Sequence, residues 1–201
     1  MFHVLCSMIG IDQIKQLRGE TGLSISEVKK ALEEAGGDFN KAKEMLRALG
    51  KKIADKKTAR ETKAGVVESY VHQNARAGVL LDMRCESDFV ANSPEFKNLA
   101  HEICLQIVAM KPLFVSEEDT PEEFLDGETK ICREEAAASG KPEKIVAQII
   151  EGKLKKYKQE VSLLSQVWIK DDSKTIKNLV EDTVAKVGEN IEIKRFSHYE
   201  I

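Results

Sequence analysis

Long apolar runs, glycine-rich phosphate loops and clustered metal ligands are all missing from this sequence. No apolar run approaches the roughly 20 residues that a membrane-spanning helix needs, so we expect no contact with a membrane. The Gly-x-x-x-x-Gly-Lys-Ser/Thr pattern does not occur, and we therefore expect that the chain does not bind GTP itself. Four prolines, with 42% hydrophobic and 32% charged residues, indicate a globular protein rather than a low-complexity chain.

Cysteine is scarce, and the four that occur are widely spaced at Cys6, Cys85, Cys104 and Cys132. None belongs to a CxxC pair and no paired histidines lie nearby, so the sequence offers neither a zinc site nor a disulfide framework. We expect free or buried thiols in a reducing cytosol, which places the chain in the cytoplasm. We expect no metal and no other cofactor.

A large excess of one charge is also missing, because 31 lysines and arginines stand against 34 acidic residues and give a net charge of −3. Without a basic field the chain is not expected to bind nucleic acid directly. Acidic residues interrupt the most charged segment, 51–63. We interpret this segment as a solvated extension of a helix into a linker.

Residues 9–53 have the pattern of three short helices joined by tight turns. Asp38 begins the third helix, and Gly36-Gly37 ends the second. Ser24 and Glu27 form a capping box for the second helix, whose predicted apolar face consists of Ile25, Val28, Leu32 and Ala35. We predict a UBA-like three-helix domain at 9–53, after a poorly ordered leader at 1–8 and before a charged linker at 54–64.

Residues 65–201 begin with a predicted strand hairpin. In its second strand, apolar residues alternate with more polar ones up to Cys85. Ser93-Pro94-Glu95 has the pattern of a helix start, so Asp88 and Phe89 fall in a short connector between a strand and a helix. A phenylalanine in this position either folds back into the core or faces a partner.

The remainder of 65–201 is mostly helical in pattern. An apolar stripe follows the connector, at Phe96, Leu99, Ala100, Ile103, Ile107 and Met110. Further helices are predicted from Thr120-Pro121 to Ser139-Gly140, from Lys141-Pro142 onward, and after a cap at Ser173, and 161–169 has an extended pattern. A last strand starts at about residue 190. Three good strands predict an α+β fold, in which helices pack on a small antiparallel sheet.

The segment 84–91, RCESDFVA, closely resembles the NCETDFVA motif of bacterial elongation factor Ts. Glu68–His72 and Arg76–Leu80 are also similar to that family, as are Leu17-Arg18 and Lys29–Leu32 in the first domain. The resemblance covers about residues 9–201. Long members of the family carry the hairpin-and-helix unit twice, whereas this chain carries it once, as short members do.

The resemblance implies a guanine-nucleotide exchange factor for elongation factor Tu (EF-Tu), without a chemical active site. It would promote release of GDP and Mg²⁺ and stabilise nucleotide-free EF-Tu until GTP binds, with Phe89 wedged between two helices of the GTPase. The residues implied in EF-Tu binding are His72, Asp88, Phe89 and Val90 in the core and Leu17, Arg18 and Ile25 in the first domain. The resemblance also implies a homodimer in a 2:2 complex with EF-Tu, and the C-terminal strand is a candidate interface.

Two other functions stay open on sequence alone. A UBA-like module that recognises ubiquitin-like or nascent chains would bind through residues 1–55. A thiol enzyme would use Cys85, with His72 from the neighbouring strand as its base. Cys85 shares a strand face with Leu81 and Met83, however, which favours a place in the core.

Overall fold

The fold is that of a computed structural model, which describes residues 10–137 and 143–201, with the side chains of 10–133 and 145–201. The predicted leader at 1–8 lies outside the described residues. So do the predicted helix end at Ser139-Gly140 and the restart at Lys141-Pro142.

Helices dominate the described residues, and the strands are fewer and mostly short. The helices are α1 (Ile11–Thr21), α2 (Ile25–Glu34), α3 (Phe39–Asp55), α4 (Asp88–Ala91), α5 (Pro94–Met110), α6 (Glu122–Ala137), α7 (Glu143–Val161) and α8 (Ile176–Val187). The strands are β1 (Ala64–Val71), β2 (Ala77–Cys85), β3 (Val167–Trp168), β4 (Asp171–Thr175) and β5 (Ile191–Glu200). A short 3₁₀ helix spans Leu163–Ser165.

The chain divides into two compact units, and each unit consists of three segments that are separated in the sequence. The first contains the residues up to Glu68, with Asp82–Ala100 and Asn178–Glu192. The second contains Ser69–Leu81, His101–Lys177 and Ile193–Ile201. The division into segments at 9–53, 54–64 and 65–201 stays a prediction.

Helices α1, α2 and α3 form the predicted bundle, and local capping sets their ends. The backbone N–H of Glu27 donates to Ser24 Oγ at 3.3 Å, and the Ser24 N–H donates to Glu27 Oε2 at 2.9 Å, which completes the capping box. Asp38 accepts a hydrogen bond from the Lys41 N–H at 3.0 Å. Gly36 and Gly37, with φ of 67° and 85°, supply the left-handed turn after α2.

The core of the bundle extends beyond the three helices. Its buried residues are Leu17, Leu23, Val28, Ala31, Leu32, Ala35, Ala42 and Leu46. Ala185 of α8 packs against them, together with partly buried residues of the bundle itself. Ile25, predicted on the apolar face of α2, begins the helix and is 53% exposed, so it does not join this core.

The main sheet has the strand order β1-β2-β5 and is antiparallel, which confirms the α+β prediction. At the hairpin turn the His72 N–H donates to the Ala77 carbonyl at 2.8 Å. Strands β3 and β4 form a second, two-stranded antiparallel sheet that the sequence pattern did not predict as a pair.

Ser173 does not cap the last helix, and that prediction is wrong. It lies inside β4, where its hydroxyl donates to Asp171 Oδ1 at 2.6 Å, and α8 begins only at Ile176.

Of the residues 161–169, for which an extended conformation was predicted, only those of β3 form a strand. The predicted α5 stripe is buried up to Ile107, but Met110 ends the helix and is half exposed.

In the described ranges, no helix combines the length and apolarity needed to cross a bilayer.

Gly22 should be intolerant of any side chain. Its φ is 69°, and a Cβ there would lie 2.8 Å from Lys186 Cα in α8. We expect Gly22→Ala to lower the free energy of unfolding by about 1–3 kcal/mol, because backbone strain and a clash with α8 add. Urea denaturation followed by circular dichroism measures the change.

The matched control is Gly19→Ala, because Gly19 lies inside α1 and a Cβ there meets nothing within 4 Å. That change should raise the unfolding free energy by about 0.5–1 kcal/mol through helix propensity. If Gly22→Ala and the unchanged protein have the same free energy of unfolding, α8 does not pack against the end of α1 as described.

Candidate functional site

The turn between β2 and α5 is shaped by one turn of helix, α4. Ser87 precedes it, and its Oγ accepts a hydrogen bond from the Val90 N–H at 3.4 Å. Ser93 begins α5 as predicted, since its Oγ accepts from the Phe96 N–H at 3.3 Å. The connector predicted at Asp88 and Phe89 is thus a short helix with a cap at each junction.

The two sides of α4 differ sharply in exposure. Val90 and Ala91 are buried, whereas Asp88 is exposed and Phe89 is 86% exposed. The alternative in which Phe89 packs into its own core is therefore excluded. An exposed phenylalanine forgoes about 1.5–3 kcal/mol of burial free energy, which becomes available when a partner covers the ring.

A carboxylate from a distant part of the chain holds the start of α4. Glu189 Oε2 accepts the Ser87 N–H at 3.0 Å, and Glu189 Oε1 accepts the Ser87 hydroxyl at 2.6 Å. A second hydrogen bond joins the same two segments: Glu86 Oε1, just before Ser87, accepts the N–H of Asn190, the residue after Glu189, at 2.6 Å. The turn before α4 and the turn before β5 are therefore linked through both of their acidic residues.

The chain that follows α3 joins the same cluster. The Asn190 side-chain amide donates to the Arg60 carbonyl at 2.9 Å, and the Arg60 guanidinium lies 3.5 Å from Glu86 Oε1. Burial and the nearby Arg60 lower the pKa of Lys57, while Glu86 and Glu189 act in the opposite direction. Lys57, Arg60, Glu86 and Glu189 therefore interact electrostatically near the start of α4.

Cys85 does not have the environment of a nucleophile. The thiol is fully buried at the end of β2 and donates to the Ser87 carbonyl at 3.2 Å. Burial raises the pKa of the Cys85 thiol above its usual range. The thiolate needed for attack is therefore disfavoured at neutral pH, which argues against a thiol enzyme.

His72 is exposed in the hairpin turn directly after β1. Its Nδ1 lies 3.1 Å from the Tyr70 hydroxyl, which restrains the imidazole ring. The Tyr70 ring also meets His101 edge to face, with 5.7 Å between ring centroids. His72 belongs to the second unit, whereas the other predicted site residues belong to the first.

The three candidates on the bundle differ in what they offer a partner. Leu17 is fully buried, so its side chain packs in the bundle core. Arg18 follows it on α1 and is exposed, and Ile25 presents an apolar side chain at the start of α2. Leu17 and Val90 therefore support neighbouring exposed residues in the unbound chain. The exposed candidates are His72, Arg18, Ile25, Asp88 and Phe89.

Glu189 and Asn190 were missed by sequence reasoning. The only local signal is Gly188, which ends α8 with a φ of 80°. Nothing in the spacing of the residues connects Glu189 with a serine about a hundred positions earlier. In the part of the chain that is described, no group of three or more His, Cys, Asp or Glu side chains is arranged to hold a metal ion.

Comparison with known proteins gives one consistent result. The family model described as Elongation factor TS matches residues 20–183. A protein named Elongation factor Ts from Thermotoga petrophila is 52% identical over 193 residues, which cover 96% of each chain. The protein of the same name from Rubrobacter xylanophilus is 51% identical over 191 residues, which cover 95% of this chain and 98% of the relative.

Proposed function

Because the chain belongs to the elongation factor Ts family, we propose that it is the guanine-nucleotide exchange factor of EF-Tu. Membership makes it a translation elongation factor. The proposed activity is promotion of GDP and Mg²⁺ release from EF-Tu, followed by stabilisation of the nucleotide-free GTPase until GTP binds. It takes place in the cytoplasm, where translation elongation occurs.

Exchange of this kind needs no chemical step by the chain itself. If it binds nucleotide-free EF-Tu more tightly than EF-Tu·GDP by some factor, GDP binding is weakened by the same factor. The described residues fit such a role, because the Cys85 thiol is buried and its pKa is raised by that burial, while Phe89 and Asp88 are exposed for contact with a partner.

The exposure of Phe89 is the observation that carries the proposal. A phenylalanine ring is rigid and apolar, and such side chains act as anchors in protein interfaces when a pocket of the partner covers them. Inserted between two helices of EF-Tu, the ring would displace the elements that hold phosphate and Mg²⁺. Asp88 is exposed beside it and supplies a carboxylate for polar groups near the metal.

The other predicted residues have supporting parts in this proposal. Val90 is a buried residue of α4 and fixes the position of that helix, and the buried Leu17 does the same for α1. Arg18 and Ile25 provide a polar and an apolar contact from the bundle, and His72 provides a further contact from the hairpin turn. The packing of Ala185 on the bundle core favours this role over a separate UBA-like module.

We further propose that the chain is a homodimer that binds EF-Tu in a 2:2 complex. Strands β1 and β5 are the outer strands of the three-stranded sheet, where unpaired backbone groups favour association. Exposed apolar side chains lie on the same strands and on β2, at Val71, Leu80 and Tyr199. A second copy of the sheet would cover them.

Phe89→Ala should abolish most of the exchange activity and leave the fold intact. Because the side chain is exposed, we expect the unfolding free energy to change by less than about 0.5 kcal/mol. Acceleration of GDP release from EF-Tu, measured with a fluorescent GDP analogue, should fall by about 30-fold or more, as for an interface anchor.

Ile131→Ala is the matched control, since Ile131 is an exposed apolar residue of α6 outside the proposed site. It should exchange nucleotide like the unchanged protein. The wedge role is disproved if Phe89→Ala, folded and stable, accelerates GDP release as well as Ile131→Ala does.

The homodimer is tested by Tyr199→Glu, which places a charge on the proposed interface and should shift the protein toward the monomer in sedimentation equilibrium. Ile169→Glu changes an exposed apolar residue just after β3 and should sediment like the unchanged dimer. A monomeric unchanged protein at micromolar concentration would refute the dimer.

A further inference from the structure

We propose that Glu189 is a positioning residue for nucleotide exchange, because its carboxylate fixes the turn that presents Phe89. The inference rests on the proposed exchange function and adds a residue to it. Glu189 does not belong to the motif around Phe89. It lies shortly after α8, in the last segment of the first unit. Its two hydrogen bonds to the Phe89 turn are both donated by Ser87.

The contact between Glu189 and Ser87 is of a strong kind. Both carboxylate oxygens accept from one residue, through the backbone N–H at 3.0 Å and the hydroxyl at 2.6 Å. Hydrogen bonds to an ionised carboxylate are shorter and stronger than those between neutral groups. Both atoms of Ser87 that can donate are therefore directed toward Glu189.

Donation of the hydroxyl proton to Glu189 determines which hydrogen bond Ser87 Oγ can form with α4. A hydroxyl has one proton to donate and two lone pairs that accept. Since the proton is given to Glu189, the lone pairs of Ser87 Oγ are left to accept the Val90 N–H, which they do at 3.4 Å. Glu189 thus orients the cap, and the cap in turn sets the first turn of α4.

The helix itself depends on such support because it is only four residues long. A single helical turn is unstable in isolation, since the entropy of ordering it is not offset by its few hydrogen bonds. The burial of Val90 and Ala91 supplies one constraint on α4, while the exposed Phe89 adds none. Glu189 supplies the second constraint, on the opposite end of the turn.

Glu189 is itself held in place by its neighbours. Gly188 turns the chain out of α8 with a φ of 80°. On the other side, Asn190 donates its backbone N–H to Glu86 at 2.6 Å and its side-chain amide to the Arg60 carbonyl at 2.9 Å. The carboxylate is therefore presented from a fixed backbone, as a positioning group requires.

A fixed turn matters because an aromatic anchor loses less conformational entropy on docking when its backbone is already ordered.

Glu189→Gln keeps the size of the side chain but loses the charge and one of the two acceptors facing Ser87. We expect its exchange efficiency, the acceleration of GDP release per concentration of exchange factor, to fall about tenfold. Glu192→Gln is the matched control, because Glu192 is a nearby carboxylate that accepts from Thr62 Oγ1.

The decisive comparison is made in the Phe89→Ala background. If Glu189 acts by positioning Phe89, then Glu189→Gln should cause no further loss of exchange once the ring is absent. A further tenfold loss there would show that Glu189 acts by another route and would overturn the proposal. Equal efficiency of Glu189→Gln and Glu192→Gln in the otherwise unchanged chain would overturn it as well.

A second readout does not depend on exchange. Backbone ¹⁵N relaxation of the free protein should show increased motion at residues 87–91 in Glu189→Gln and not in Glu192→Gln. If the unchanged protein fails to accelerate GDP release, the proposed function is refuted and the exchange role of Glu189 with it. Unchanged relaxation at 87–91, in contrast, refutes the positioning role alone.

Variants of Ser87 keep the test valid if Glu189→Gln does not fold. Ser87→Thr retains the hydroxyl and should exchange like the unchanged protein, whereas Ser87→Ala should lose about as much efficiency as predicted for Glu189→Gln. Similar efficiency of Ser87→Ala and Ser87→Thr would overturn the proposed route through the serine hydroxyl.

Discussion

A helix of four residues cannot hold its own conformation, and the proposed site of this chain is built on one. Helix α4 keeps its place because Val90 and Ala91 are buried on one side and the Ser87 cap is fastened to Glu189 on the other. These constraints leave Phe89 free to face solvent while the backbone beneath it stays ordered. The exposed ring is held in position because Val90 and Ala91 of the same helical turn are buried.

The same arrangement, in our proposal, lets the chain act on another protein through binding free energy alone. In our proposal the binding free energy of a rigid aromatic anchor, and of the bundle contacts at Arg18 and Ile25, is used to favour the nucleotide-free form of EF-Tu. Cys85, the one residue that suggested covalent chemistry, is buried below this turn and donates to the Ser87 carbonyl. It contributes to the packing of the site rather than to a reaction.

Signals that act within a few residues allowed much of the fold to be predicted. The capping box at Ser24, the cap at Asp38 and the start of α5 at Ser93 are all local, and each formed as expected. Ser173 gave the same signal but lies in β4, because Asp171 satisfies its hydroxyl nearby. The exposure of Phe89 and the contact of Glu189 depend on residues far apart in sequence, and no local pattern specifies them.

In our proposal this chain distinguishes between the nucleotide-free and the GDP-loaded states of EF-Tu. Calorimetric titration of EF-Tu, nucleotide-free and loaded with GDP, measures that difference directly. We predict tighter binding to nucleotide-free EF-Tu, and a GDP affinity that the chain lowers by the same factor. Equal affinity for the two states would contradict the account, however tightly the chain bound.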